Sequence, residues 1–306
     1  MAWIFFALIA HIINALVFII DKGILDADNP ISQPLRLTAY TGILSGAAVI
    51  LLPFQYAPPS VFVLGWSTVS GSFFLAALWW FFSALKIGES SRVVPMIGSV
   101  VPLFTLLFAT VILGEELSPQ ALLAVMFLIA GGALLSIRLS GTRGLSGKAL
   151  LYICLGGAAF AAHFSTVKFV YDGFEPFLAA FAYSRIVVAV ISVVILWPLL
   201  FFSQRTKQGK RTGKRKRHSR RSLAVAFVAS KSLGTGAFLL QNYAINLGSV
   251  TVVNALQGTQ YMFVLLLAVL VSVRYPRVFR EELQRVAVIQ KVAGIVLISL
   301  GLVLLL

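Results

Sequence analysis

The chain has 306 residues, of which 59% are hydrophobic and only 11% charged, with a mean hydropathy of +0.95. Soluble domains carry roughly 25% charged residues, so the composition excludes a water-facing globular surface and points to lipid as the solvent. The formal charge of +15 does not indicate nucleic acid, because ten of the 25 Lys and Arg residues fall between Arg205 and Arg221 instead of spreading over a binding face.

The N-terminal stretch from Met1 to Ile20 is apolar, without a basic leading region or a small-residue cleavage site. It is predicted to be a retained span and not a signal peptide. A spanning helix needs about 20 mostly apolar residues. Ten segments qualify: Trp3–Ile20, Leu35–Pro53, Val63–Leu85, Val93–Leu113, Pro119–Ile137, Lys148–Val170, Phe177–Phe202, Leu223–Ile245, Val250–Val273 and Val286–Leu305. Barrel strands alternate apolar and polar positions, whereas runs such as Leu103 to Leu113 are apolar throughout. The predicted fold class is therefore an all-α integral membrane protein with ten transmembrane helices. Cys154, the single cysteine, lies inside an apolar run and is predicted to be a small buried hydrophobe.

Charge sorts the loops. Lys22, Lys86, Arg92, Arg138, Arg143, Lys148, the cluster within 204–222, and Arg274, Arg277, Arg280 and Arg285 all fall in alternate loops. The intervening loops hold no basic residue, only Glu115, Glu116, Asp172 and Glu175. By the positive-inside tendency, the basic side is predicted to be cytoplasmic and both termini outside.

The two halves also resemble each other. Ala84-Leu85-Lys86-Ile87-Gly88 aligns with Ala244-Ile245-Asn246-Leu247-Gly248, and the same offset places Val93 on Val253 and Gly98 on Gly258. Gly114-Glu115-Glu116-Leu117 then matches Arg280-Glu281-Glu282-Leu283, and each is followed by an apolar helix with a late glycine, Gly132 and Gly301. Lys22 and Pro30 correspond to Lys168 and Pro176. Two repeats are predicted, residues 1–140 and 147–306, the second carrying the basic loop 204–222. Five spans per repeat is odd, so the second copy must cross the membrane inverted. Inverted repeats let one side open as the other closes, which is the logic of alternating access.

With this pattern the chain resembles the drug/metabolite transporter superfamily, in its EamA-like branch. The resemblance rests on five plus five spans, on Gly114-Glu115-Glu116-Leu117-Ser118 opening the fifth span, and on Ala84-Leu85 through Pro95 and Pro102. It implies a central cavity lined largely by spans 1, 3, 4, 6, 8 and 9. Two features depart from the family pattern. Arg280-Glu281-Glu282 and an arginine-rich insertion replace the usual short Gly-Glu turn, and the family's usual orientation places both termini in the cytoplasm.

Polar residues within spans are costly and tend to face a cavity or a partner. His11, Asn14 and Asp21 share a face of the first span, and His163 pairs with Thr166 in the sixth. Arg185 lies about two turns into the seventh, and Lys231, Thr235 and Asn242 share a face of the eighth. Asn254, Gln257 and Tyr261 recur at i, i+3 and i+7 in the ninth, while Ser99 lies between Pro95 and Pro102 on a face predicted to be broken or kinked. The candidate substrate-binding set is Asn254, Gln257, Tyr261, Lys231, Thr235, Asn242, His163, His11, Asn14, Ser99 and Arg185. Structural roles compete with this reading. Lys231 could bond backbone carbonyls or Asn254, Arg185 could snorkel outward, and His11 and His163 could be satisfied interhelical donors.

No carboxylate is expected deep in a span, so the embedded charge is predicted to be positive or neutral. That favours an anionic or zwitterionic metabolite over a lipophilic cation. The predicted function is secondary transport in a bacterial-type inner membrane. A lipid-linked sugar or headgroup flippase and an exporter of drug-like compounds are the alternatives. No catalytic or phosphate-cradling motif is present, so no enzyme activity, cofactor, metal site or nucleic-acid partner is expected. Basic residues Arg205–Arg221 are predicted to touch anionic lipid. Gly42 and Gly46 form a GxxxG packing signal, and the chain is expected to be a monomer or homodimer.

Overall fold

The computed structural model describes residues 2–26, 33–88, 90–136, 145–200, 220–263 and 285–305. Every regular element among them is helical. In chain order these are α1 (Ala2–Asp26), α2 (Pro34–Ser45, tightening to a 3-10 stretch over Gly46–Phe54), α3 (Val61–Ile87), α4 (Ser90–Phe108, widening to a π turn over Ala109–Leu113), and α5 (Pro119–Ser136). They continue as α6 (Gly147–Gly173), α7 (Phe177–Ile191, with a π turn over Ser192–Leu196), α8 (Arg220–Leu247), α9 (Val250–Ala255, resuming over 257–263 after a turn at Leu256) and α10 (Arg285–Leu305).

Seven helices among the described residues are long and apolar enough to cross a membrane: Ala2–Leu25, Pro34–Phe54, Val61–Ile87, Val93–Leu113, Gly147–Gly173, Phe177–Leu200 and Ser222–Leu247. Pro119–Leu135 and Ile289–Leu305 are shorter apolar helices. The predicted ninth span, and the basic segments within 137–144, 204–219 and 264–284, lie wholly or partly outside the described residues.

Local chemistry sets the helix ends. Ser60, Ser146 and Ser249 cap α3, α6 and α9, each accepting a hydrogen bond from the backbone N–H three residues on at 3.0–3.2 Å. Gly114 ends the π turn of α4 with φ +64°, a left-handed conformation that glycine adopts without steric cost. The α4 helix is continuous through both Pro95 and Pro102, so the face predicted to be broken or kinked is not broken.

Helices in lipid pack through small residues that let backbones approach. The seam between α5 and α10 is built this way. A Cβ added at Gly131 would lie 2.7 Å from the Gly294 carbonyl oxygen, and one at Gly294 would lie 3.0 Å from the Gly131 carbonyl oxygen. Two turns away, a Cβ at Gly301 would meet the Ala124 oxygen at 2.9 Å. The GxxxG pair of α2 is used within the chain. A Cβ at Gly42 would lie 1.9 Å from Ser192 Oγ, and one at Gly46 would lie 2.9 Å from Ala189 Cβ, so α7 fills that notch. Cys154 corrects an expectation: it is exposed on the outer face of α6. Apolar residues facing lipid and apolar residues facing the core look alike in sequence.

Candidate functional site: a central aromatic cavity

A cavity of about 150 Å³ lies between α1, α2, α3, α4, α6, α7, α8 and α9. Eight of its 25 lining residues are phenylalanines, although the whole chain has only 24 in 306 residues. The concentration marks an aromatic chamber, not an average sample of membrane-helix surface. The charged lining residues are Asp21, Arg185 and Lys231, which sum to a formal +1.

Asp21 corrects the expectation that no carboxylate lies deep in a span. It is 3% exposed, and both of its oxygens accept hydrogen bonds from Lys231 Nζ at 3.0 Å. Ser230 Oγ donates to Asp21 Oδ1 at 2.6 Å. The pair ties α1 to α8 and neutralises the lysine, whose ammonium also lies 5.4 Å from the centre of the Phe82 ring. Lys231 therefore presents no net charge to a ligand.

Arg185 is the opposite case. It projects from α7 and is 3% exposed, so it does not snorkel to the surface. Its guanidinium carbon lies 4.6 Å from the centre of the Phe238 ring, 4.7 Å from Phe74 and 5.8 Å from Phe181. Such cation–π contacts partly offset desolvation, by roughly 0.5–2 kcal/mol each. Arg185 Nε donates to Ser184 Oγ at 3.4 Å, while one terminal nitrogen is buried without a hydrogen-bond partner. No carboxylate pairs with Arg185 among the described residues. A buried, uncompensated guanidinium is expensive unless something supplies the missing negative charge.

Of the predicted binding residues, the structure places Asn14, Arg185, Lys231, Thr235 and Gln257 on the cavity wall. The other six are buried around it. His11 Nε2 donates to the Val253 carbonyl at 3.0 Å, bridging α1 to α9. His163 Nδ1 donates to the Ser70 carbonyl at 3.0 Å where α6 crosses α3, with the Phe74 ring centre 5.0 Å away. Asn242 accepts from the Tyr171 hydroxyl at 2.9 Å. Asn254 accepts from Gln241 Nε2 at 3.3 Å and donates to Thr105 Oγ1 at 3.4 Å. Ser99 Oγ donates to the Pro95 carbonyl at 3.0 Å. Tyr261 occupies the notch left by Gly98, where an added Cβ would fall 1.2 Å from its hydroxyl.

Sequence reasoning missed Asp21 as a wall residue, the Ser230 and Gln241 side chains, and the phenylalanine lining. Asp21 had a usable signal, because it continues the His11–Asn14 face of α1. The phenylalanines had none, since a ring facing the cavity and a ring facing lipid sit in the same apolar pattern.

The fold and the cavity define a multi-pass membrane protein with a ligand-sized, mainly aromatic centre that carries a few charged and polar groups. Residues 1–137, a little under half of the chain, match the model of the EamA-like transporter family. A solved crystal structure of 19% sequence identity aligns over 98% of this chain and 95% of its own, with a TM-score of 0.62. At that identity the likeness is one of fold. No curated protein matches the chain.

Proposed function

We propose that this chain is a secondary transporter that moves a small anionic or zwitterionic metabolite by alternating access around the aromatic cavity. The observation that carries this reading is Arg185, a buried guanidinium on the cavity wall with an unpartnered nitrogen and no carboxylate beside it among the described residues. A site of that kind is complete only when an anion fills it.

The packing supports an inverted repeat. Exchanging α1–α5 with α6–α10 turns the α3–α6 contact into the α8–α1 contact, and both are extensive. It maps α2–α7, α4–α9 and α5–α10 onto themselves, and all three pairs touch. Gly88 and Gly248, equivalent in the two halves, each follow the last residue of a long helix, α3 and α8. Repeats 1–140 and 147–306, one inverted against the other, would rock about these self-paired contacts. In the proposed orientation the basic loops face the cytoplasm, Arg205–Arg221 rests on anionic lipid, both termini lie outside, and the membrane is a bacterial-type plasma membrane.

Reconstitution tests the transport reading. Liposomes containing the full chain are expected to take up an anionic metabolite from a mixed panel, and Arg185→Gln is expected to reduce that uptake at least tenfold. Protein-dependent uptake of lipophilic cations alone would overturn it. Orientation has a separate test. In a Cys154→Ser background, a Ser219→Cys thiol is expected to react with an impermeant maleimide only after cells are permeabilised. Labelling of intact cells would reverse the assignment.

A further inference from the structure

We propose that the cavity selects a monocarboxylate carrying a single ring-sized apolar body, with Arg185 as the carboxylate anchor and no requirement for a substrate ammonium. This deepens, and rests on, the transporter reading above.

Charge comes first. Asp21 and Lys231 cancel, which leaves Arg185 as the one uncompensated charge on the described wall. A monoanion brings that sum to zero. A phosphate monoester carries close to two negative charges at neutral pH, and the second would be left in an apolar chamber at the cost of an unpaired buried ion. The available guanidinium nitrogen and planar fork suit a carboxylate.

The closed state of the ion pair excludes the usual recognition of an amino group. Asp21 Oδ1 already accepts from Ser230 and Lys231, and Oδ2 from Lys231. An incoming ammonium would have to displace Lys231, stranding its charge. Amino acids are therefore not favoured over the same acids without the amine.

Shape and surface supply the rest. A cavity near 150 Å³ is the size that takes up one benzene molecule when its walls are apolar. The wall rings are already set at angles to one another: Phe74 to Phe238 at 58°, Phe74 to Phe160 at 72° and Phe81 to Phe160 at 71°. Such edge-and-face arrangements offer ring edges to the faces of a guest ring, each pair adding about 0.5–1.5 kcal/mol beyond area burial. The rings of Phe74 and Phe238 lie over the guanidinium, which leaves hydrogen bonding in the guanidinium plane as the way an anion can engage it.

The test is thermal stabilisation and uptake with the purified full chain. 3-Phenylpropionate is expected to raise the melting temperature and to enter proteoliposomes. Phenylalanine is expected to bind no more tightly than 3-phenylpropionate. Propionate, phenethylamine, 3-phenylpropanol and phenyl phosphate are each expected to bind at least tenfold more weakly. Arg185→Gln, checked for unchanged elution and ligand-free melting, should remove the 3-phenylpropionate shift. Phe160→Ala should narrow the preference for 3-phenylpropionate over propionate while keeping dependence on Arg185. Arg185-dependent binding of phosphate esters or short acids alone would overturn the substrate class and leave the transporter reading standing. Tight binding of 3-phenylpropionate with no protein-dependent uptake would do the reverse. Equal binding of phenethylamine, or binding unchanged in Arg185→Gln, would overturn the anchor.

Discussion

Lys231→Ala is expected to destabilise the folded protein by about 3–5 kcal/mol, the usual result of removing one partner of a buried ion pair. The side chains of Lys231 and Asp21 are only 10% and 4% exposed, so bulk solvent compensates little for the lost ammonium. The loss arises from the stranded Asp21 carboxylate, which would keep only the Ser230 hydroxyl. Asp21→Ala should be similarly damaging by stranding the lysine. The double variant Asp21→Asn/Lys231→Met should recover most of the stability, because replacing both charges by a neutral pair of similar size is near neutral or better. Melting temperatures in detergent of the parent, Asp21→Asn, Lys231→Met and the double variant close a double-mutant cycle, with an expected coupling larger than either single loss. A double-variant loss equal to the sum of the two single losses within about 0.5 kcal/mol would show the two residues to be uncoupled in the folded protein. Because the pair joins α1 to α8 at the cavity wall, the double variant also separates scaffold from chemistry. It should retain Arg185-dependent binding if the pair only shapes the site.

Gly131→Ala is the second large effect, expected to cost about 2–3 kcal/mol by overpacking. The obstructing atom is a backbone oxygen, that of Gly294, which cannot rotate aside as a long side chain could. α5 and α10 would have to separate along the whole seam that Gly131, Gly294 and Gly301 form. Gly294→Ala should behave alike, and combining the two should cost less than their sum, since the first separation relieves the second clash. Gly65→Ala provides the contrast. It lies in α3 with no atom within 4 Å of the added Cβ, so it should stabilise by roughly 0.5–1 kcal/mol through the entropy of the unfolded chain. A melting temperature unchanged by Gly131→Ala would mean that the seam is not close-packed.

Helix placement was legible in advance because each span is long, apolar and bounded by polar or breaking residues. Predicted Val63–Leu85 is α3, Val61–Ile87; predicted Lys148–Val170 is α6, Gly147–Gly173. The differences lie at the ends, where Ser60 and Ser146 caps start each helix slightly ahead of the predicted position. The candidate site was legible only in part. Buried Asn254, Asn242 and Tyr261 satisfy the rule that polar groups in a span face inward, yet inward here includes helix–helix seams as well as the cavity. Spacing along one helix gives a face. It does not give the identity of the neighbour.

What the amino-acid sequence determined alone is the solvent and the periodicity. A chain with 11% charge and long unbroken apolar runs must satisfy its backbone inside helices, because lipid offers no hydrogen bonds. What only the tertiary structure decided is the charge of the centre. Asp21 and Lys231 are 210 positions apart, and nothing local pairs them; their cancellation, and the isolation of Arg185 among Phe74, Phe181 and Phe238, follow from which helices cross. Electrostatic energy depends on distance and dielectric in space, and a linear sequence specifies neither until the bundle has closed.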